Sequence, residues 1–401
     1  MTMYYFDHCA STPPLPEVIR TMAEVMAEHY ANPSSLHRGG AEAAKLLERA
    51  RAVIAGAFGT EAGEWFFTSG GTESNNLAVV GAARQYRSRG NHLITSAVEH
   101  PSVLEPFRML EREGFRVTYL PVDGCGVVSP EAVEAALTDE TTLVSVMHVN
   151  NEVGSVQPLA AIGSLLHRRP RTLFHVDGVQ SIGKLPVRLR EWGVDLLAAS
   201  AHKVGGPRGI GLLYKREGVR LAPLMGGGGQ EGGVRPGTEN VPAIVAAAKA
   251  FRLAVESQKQ RAGRMYRLRG KLLACVAAIP ELVLNGGGSA DDPAGTGGSE
   301  EKEPAAAPHI VHFSYPGMKP EVFVHMLEKH RILASTKSAC SSKDDKPSAV
   351  LEAMGADRER AASGIRISFG DEHGDAELEW LCGMLGQVVK KLKPLERKMN
   401  E

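Results

Sequence analysis

An α/β fold with a mainly parallel sheet is what this 401-residue sequence predicts, and three observations carry the prediction. Short apolar runs of strand length alternate with longer stretches of helical spacing from Trp65 onward. The 44 glycines gather in small clusters at the joints between them, as in α/β enzymes that handle phosphate. The length suits one large domain with a smaller companion, and 43% apolar residues can fill a sizeable core.

In order along the chain, Phe6 to Pro14 reads as a polar lead-in closed by a proline pair. From Pro16 a helix is expected, because Val18, Ile19, Met22, Val25 and Met26 fall at helical spacing. Asn32-Pro33-Ser34-Ser35 breaks it, and a second helix runs through Leu46, Leu47, Ala50, Val53 and Ile54 to about Gly59. Trp65 to Thr68 is a strand that feeds Ser69-Gly70-Gly71-Thr72, the turn into another helix. A strand, a small flexible turn and a helix N-terminus together can hold a phosphate on free backbone N–H groups, and a plain βα turn has the same pattern. The turn is neither a P-loop nor a dinucleotide fingerprint, which lowers the case for a nucleoside triphosphate or NAD.

Strands are then expected at 93–96, 115–122, 143–149, 172–176 and 194–199, with helices at 102–113, 158–167 and from Ser129-Pro130-Glu131. Repeated βα units give a parallel sheet with both faces covered, and chemistry in such sheets gathers at the carboxyl ends of the strands. The polar residues there are His100, Asn151, Asp177, Gln180, Ser200, His202 and Lys203. Lys203 ends an apolar run and precedes a glycine-rich turn. A lysine so placed is costly unless it meets a charge or does chemistry, and a desolvated amine is suited to a Schiff base. Asp177 either caps the next helix or pairs with a buried cation such as a pyridinium nitrogen.

A helix from Val241 to about Ala278 leads to the smaller unit. The expected division is a large domain over 15–255, and a small α+β domain formed by 1–14 and 256–401. Residues 285–304, rich in Gly, Ser, Ala, Asp and Glu, read as a disordered surface insertion. Strands follow at 310–313, 332–334 and 365–369, and helices at 320–329, 350–354 and 376–391. Between them, Ser335 to Ser348 forms a polar loop with Cys340 among small residues and flanked by Lys337 and Lys343. An exposed thiol near positive charge is a candidate nucleophile of lowered pKa.

Composition excludes several classes. Lys+Arg and Asp+Glu both number 46, against a dedicated nucleic-acid or anionic-membrane binder. No run is long and apolar enough for a membrane span, and the N-terminus lacks a basic, apolar leader. The five cysteines form neither CxxC pairs nor a disulfide framework, so no metal site is expected and a reducing cytoplasm is.

Taken together, the chain resembles the cysteine desulfurases of the class V (fold type I) pyridoxal phosphate enzymes, in the subgroup with a long cysteine loop. The matching stretches include Asp7 to Thr12, Asn32 to Ser35, Phe67 to Asn76, Glu99-His100, Met147 to Gly154, His175 to Ser181, Ser200 to Lys203, Arg235 to Thr238, Ser338-Ala339-Cys340 and Ile365 to Ser368. The resemblance implies a fold type I transferase that is homodimeric and holds pyridoxal 5'-phosphate on Lys203. Asp177 would pair with the ring nitrogen, His100 would stack on the ring and Gln180 would meet its phenolic oxygen. Gly71, Thr72, Ser200 and His202 would bind the phosphate, with Thr238 reaching in from the other subunit. Arg366, helped by Asn32 and Asn151, would clamp the carboxylate of L-cysteine. Cys340 would take the substrate sulfur as a persulfide, release alanine, and pass the sulfur to an acceptor protein for iron–sulfur clusters or thiolation. Three departures stand out: Lys337 where glycine is usual, Gly205 where tyrosine is frequent and Asp371 where a basic residue is usual. Another class V activity, such as selenocysteine lyase or aminotransferase, and a weakly active scaffold in sulfur delivery are the alternatives.

Overall fold

The computed structural model describes residues 3–295, 303–336 and 346–399. The chain begins with β1 (Tyr4–Tyr5), α1 (Pro16–Glu28), α2 (Arg38–Phe58), β2 (Trp65–Thr68), α3 (Gly71–Gln85), β3 (His92–Ser96), α4 (Pro101–Arg112) and β4 (Arg116–Leu120). It continues through α5 (Pro130–Ala136), β5 (Thr141–Ser145), α6 (Leu159–His167), β6 (Leu173–Asp177), β7 (Leu196–Ser200), β8 (Gly211–Lys215), α7 (Val241–Glu256) and α8 (Gln258–Ala277). The remainder is β9 (Val283–Asn285), β10 (Ile310–Ser314), α9 (Pro320–Lys329), β11 (Ile332–Leu333), α10 (Ala349–Ala353), α11 (Arg358–Ala362), β12 (Gly364–Ser368) and α12 (Asp375–Met399).

Seven strands form the main sheet in the order β2-β8-β7-β6-β5-β3-β4. The pairs β3–β4, β3–β5, β5–β6 and β6–β7 are parallel, while β8 runs antiparallel to both neighbours. Successive side chains point to opposite faces of a strand. Leu93, Leu143, Leu173, Leu196 and Leu213 accordingly pack into one cluster with Val103 and Phe107 of α4. Their neighbours Ile94, Val144, Phe174, Leu197 and Leu212 pack into another, with Ile54 of α2 and Phe251 of α7. Both faces are dry, which is why these strands read as unbroken apolar runs.

A second core joins Phe6 to residues from Met265 to Leu392, with Val311 of β10, Ile365 of β12, Leu272 of α8 and Leu381 of α12. Its sheet is β12-β10-β9, antiparallel throughout, and a parallel β1–β11 pair brings the N-terminal segment alongside. The segment expected to be one helix from Val241 to Ala278 is two. Ser257 sits between them, its hydroxyl donating to the Leu253 carbonyl at 2.7 Å. A serine that bonds back one turn competes with the backbone ladder and bends it.

The disorder expected over 285–304 is not found at its described positions, 285–295 and 303–304. Asn285 ends β9, and buried Arg269 donates to the carbonyls of Gly287 (2.6 Å), Pro293 and Ile310 (3.0 Å). A buried guanidinium needs that many acceptors, so the segment's first half is fixed by Arg269. Residues 296–302 lie outside the described residues.

Candidate active site

One cavity opens at the carboxyl ends of the parallel strands, where the sequence places the polar residues. Gly71, Thr72, His100, Asn151, Asp177, Gln180, Ser200, His202, Lys203 and Arg366 all line it.

Its floor is built by β6 and β7. Asp177 is the last residue of β6 and is 5% exposed. Its carboxylate accepts from Asn75 Nδ2 at 2.8 Å and from the Val179 amide at 3.0 Å. Lys203 follows β7 in a single tight turn, Ala201–Lys203. Its ammonium donates to the carbonyls of Ala10, at 3.0 Å, and of Cys9. Gln180 donates to the same Cys9 carbonyl at 3.1 Å. The N-terminal segment is therefore held against the lysine by main-chain acceptors.

At the cavity α3 begins, and its N-cap, Gly70, has no side chain to cap the first turn. Uncapped amides carry the positive end of the helix dipole and suit an anion. A Cβ on Gly71 would come within 2.8 Å of the Val179 side chain, so only glycine lets the turn sit so close to the strand end. His202 lies nearby, its Nδ1 3.3 Å from the Ser11 hydroxyl, and burial, followed by Lys203 and Arg208, lowers its pKa to about 4. It is a neutral hydrogen-bonding group at neutral pH.

His100 caps α4, its Nδ1 accepting from the Ser102 amide at 3.1 Å and lying 2.8 Å from the Ser102 hydroxyl. Burial lowers its pKa; Asp177 opposes the shift and Lys203 adds to it. The imidazole is therefore biased toward the neutral ring, flat and apolar-faced. Arg366 from β12, 1% exposed, lines the same cavity. It donates to the Asn151 carbonyl at 2.7 Å and pairs with Asp7 at 3.0 Å. Its Nε has no partner among the described residues. Asn75 Oδ1 is likewise buried and unpartnered.

Two expected residues stand apart from this cavity. Asn32 is exposed and accepts from the Ser34 amide at 2.9 Å, and Thr238 is exposed on the loop before α7. Cys340 and Lys337 lie outside the described residues. Asn75, Ser102, Met147 and the Cys9 and Ala10 carbonyls were not anticipated. Asn75 was legible in principle, being four residues after Gly71 and so on the same face of a helix. His8, Glu372 and His373 also approach within 4.8 Å of one another. His8 already pairs with Glu372 at 2.7 Å and His373 Nδ1 accepts from the Gly370 amide at 2.7 Å, while His373 Nε2 is buried without a partner among the described residues.

Pyridoxal phosphate fits what the cavity offers. One cavity is lined by an amine, a buried carboxylate, a flat ring biased to the neutral form, the first residues of a helix and a buried arginine whose Nε lacks an acceptor among the described residues.

A profile of the Aminotransferase class-V family matches residues 4–381. A relative from Lactobacillus delbrueckii subsp. bulgaricus, described as a NifS/IcsS protein homolog, is 44% identical over 389 residues, 97% of either chain. Cysteine desulfurase IscS of Clostridium botulinum is 38% identical over 392 residues, 98% of this chain and 95% of that one. Among solved structures, a NifS-like protein superposes with a TM-score of 0.87 at 36% identity, covering 98% of this chain and all of that one (100%).

Proposed function

The chain belongs to the aminotransferase class-V family, and from that premise we propose that it is a pyridoxal phosphate-dependent cysteine desulfurase that converts L-cysteine to L-alanine. The observation that carries the reading is the meeting of Lys203, Asp177, His100, the α3 N-terminus and Arg366 around one cavity. The relatives' names, which include cysteine desulfurase over nearly the full length, support it.

Pyridoxal 5'-phosphate, when bound, supplies an electron sink for charge developing at the substrate Cα. Lys203 would hold it covalently, Asp177 would keep its ring nitrogen protonated, and His100 would cover one face. Gln180 would meet the phenolic oxygen. Gly71, Thr72, Ser200 and His202 would receive the phosphate, joined by Thr238 of a second copy in a homodimer. Arg366 would orient the cysteine carboxylate, with Asn151 and Asn32 beside it; a charged, partly bonded guanidinium places the substrate without reorganising. The displaced Lys203 amine would move the Cα proton. The Cys340 thiolate would attack the substrate sulfur: the new S–S bond leaves a persulfide on Cys340, the C–S pair returns to the product, and alanine departs. An acceptor protein would then take the sulfur, for iron–sulfur clusters or for tRNA or cofactor thiolation. We place the enzyme in the cytoplasm on the strength of its free thiols at Cys9, Cys125, Cys275 and Cys382. Among the described residues no helix is long and apolar enough to cross a membrane.

The test is to supply L-cysteine and a reductant and to quantify alanine and sulfide for the wild type and Cys340→Ala. Turnover that needs Cys340 is expected; equal turnover in both would transfer the chain to another class V activity. Lys203→Ala should lose the long-wavelength absorbance of the bound cofactor.

A further inference from the structure

A second cavity of about 240 Å³ adjoins the first, Lys203 lining both. Leu15, Lys184, Lys203, Gly205, Arg261 and Asp371 are among its walls. Two of the three departures from the family pattern, Gly205 and Asp371, thus fall on one hollow. At Gly205 (φ +76) a Cβ would meet Leu15 at 2.8 Å, so no side chain fills that corner.

Lys184 is 6% exposed and lines this cavity. Its ammonium has three donors, and a single hydrogen bond, to the Lys203 carbonyl at 3.3 Å, is made among the described residues. No described carboxylate lies within ion-pair distance of it. Asp371 is already claimed by Arg261 and Arg264, both at 2.7 Å, and Glu372 by His8 at 2.7 Å. Among the described residues, the two carboxylates that line this cavity are thus in ion-pair contact with Arg261, Arg264 and His8 rather than with Lys184. A buried ammonium with no carboxylate in direct contact is costly, and here open space adjoins it. Burial, followed by Arg261, lowers the Lys184 pKa to about 8 while Asp371 opposes the shift from beyond ion-pair distance, so the amine still carries its charge at neutral pH.

We propose that this cavity binds a small monovalent anion on the Lys184 ammonium. The anion supplies the direct counter-charge that Asp371, held by Arg261 and Arg264, does not. Because Lys184 is bonded to the Lys203 carbonyl, it also steadies the main chain of Lys203. The site is separate from the carboxylate clamp at Arg366, which belongs to the first cavity.

The experiment measures the melting temperature of the holoenzyme in a bulky sulfonate buffer while sodium acetate or sodium chloride is raised at fixed ionic strength. The wild type should show a saturable rise, on the order of 2 °C at ten times the dissociation constant. Acetate alone would mark a carboxylate site, and both salts a general monoanion site. In Lys184→Met the saturable part should vanish, whereas anions meeting Arg366 or the cofactor region would act on both proteins alike. An unchanged response in Lys184→Met, or none in the wild type, overturns the proposal. Should that variant not fold, Leu15→Trp, which fills the cavity and keeps Lys184, decides in the same way.

Discussion

Asn75 Nδ2 donates to Asp177 Oδ2 at 2.8 Å and, through the same amide, to the Ser102 hydroxyl at 2.9 Å. With the Val179 amide on Oδ1, the Asp177 carboxylate is fixed in both rotation and tilt. In the role proposed for Asp177, facing a ring nitrogen, a carboxylate benefits from being set before the ring arrives. Asn75→Ala removes one charge-assisted hydrogen bond, about 1.5 kcal/mol, and should weaken pyridoxal phosphate binding roughly tenfold. Titrating the apoenzyme with cofactor and following absorbance checks it; wild-type affinity would mean that Asn75 only packs.

Arg366 gives the second prediction. Its Nη1 and Nη2 are tied to Asn151 O and Asp7 Oδ1, which fixes the plane of the guanidinium. Lysine is a point charge on a flexible stem and cannot reproduce that fork. Arg366→Lys should raise KM for L-cysteine by about a hundredfold, close to 3 kcal/mol, with a smaller loss in kcat. A kcat that falls while KM holds would remove Arg366 from carboxylate binding.

A third prediction separates the thiols. Cys9 is 2% exposed, and burial raises its pKa, although Arg366 and Lys203 oppose the shift. Cys125 is exposed on a turn, where its amide donates to Asp123. Iodoacetamide at neutral pH should label Cys125 faster than Cys9 by about two orders of magnitude, read by peptide mass spectrometry. Fast labelling of Cys9 would mean that the N-terminal segment opens readily from Lys203.

Much of this was legible in the residues, and the exceptions have physical causes. The pairs Leu93/Ile94, Leu143/Val144 and Leu173/Phe174 reveal strands covered on both faces, because each side of a pair belongs to a different core. Strand direction has no such signature: β8 carries the same apolar run as β7 yet runs against it, since the short Ala201–Ile210 connection turns the chain back. The strand-end side chains Asp177 and Lys203 could be named because charge beside apolar runs is conspicuous. The acceptors that hold Lys203 could not. They are the backbone carbonyls of Cys9 and Ala10, which every residue type carries, brought there by the β1–β11 pairing some 330 positions away in sequence. Asp371 makes sense only in three dimensions, where Arg261 and Arg264 both reach it.

The last prediction concerns Glu99, 3% exposed and next in sequence to His100. Its Oε1 accepts from the Ser96 hydroxyl at 2.6 Å and the Met147 amide at 2.8 Å, while Oε2 has no partner among the described residues. Burial, opposed by those two hydrogen bonds and reinforced by Asp177, raises the pKa to about 8. In the unfolded chain the same carboxyl titrates near 4.3. Between these values the folded protein holds a proton that the unfolded chain has released, so stability falls as pH rises across that window. Below it both states are protonated, and above about pH 8 neither is, so the contribution levels off at both ends. Glu99→Gln keeps an acceptor at Oε1 and cannot ionise. Relative to that variant, the wild type should lose on the order of a few kcal/mol between pH 5 and pH 8.5 by urea denaturation. Parallel pH profiles for the two proteins would mean that Glu99 is already ionised in the folded state, with its charge met from the Ser96 and Met147 side alone.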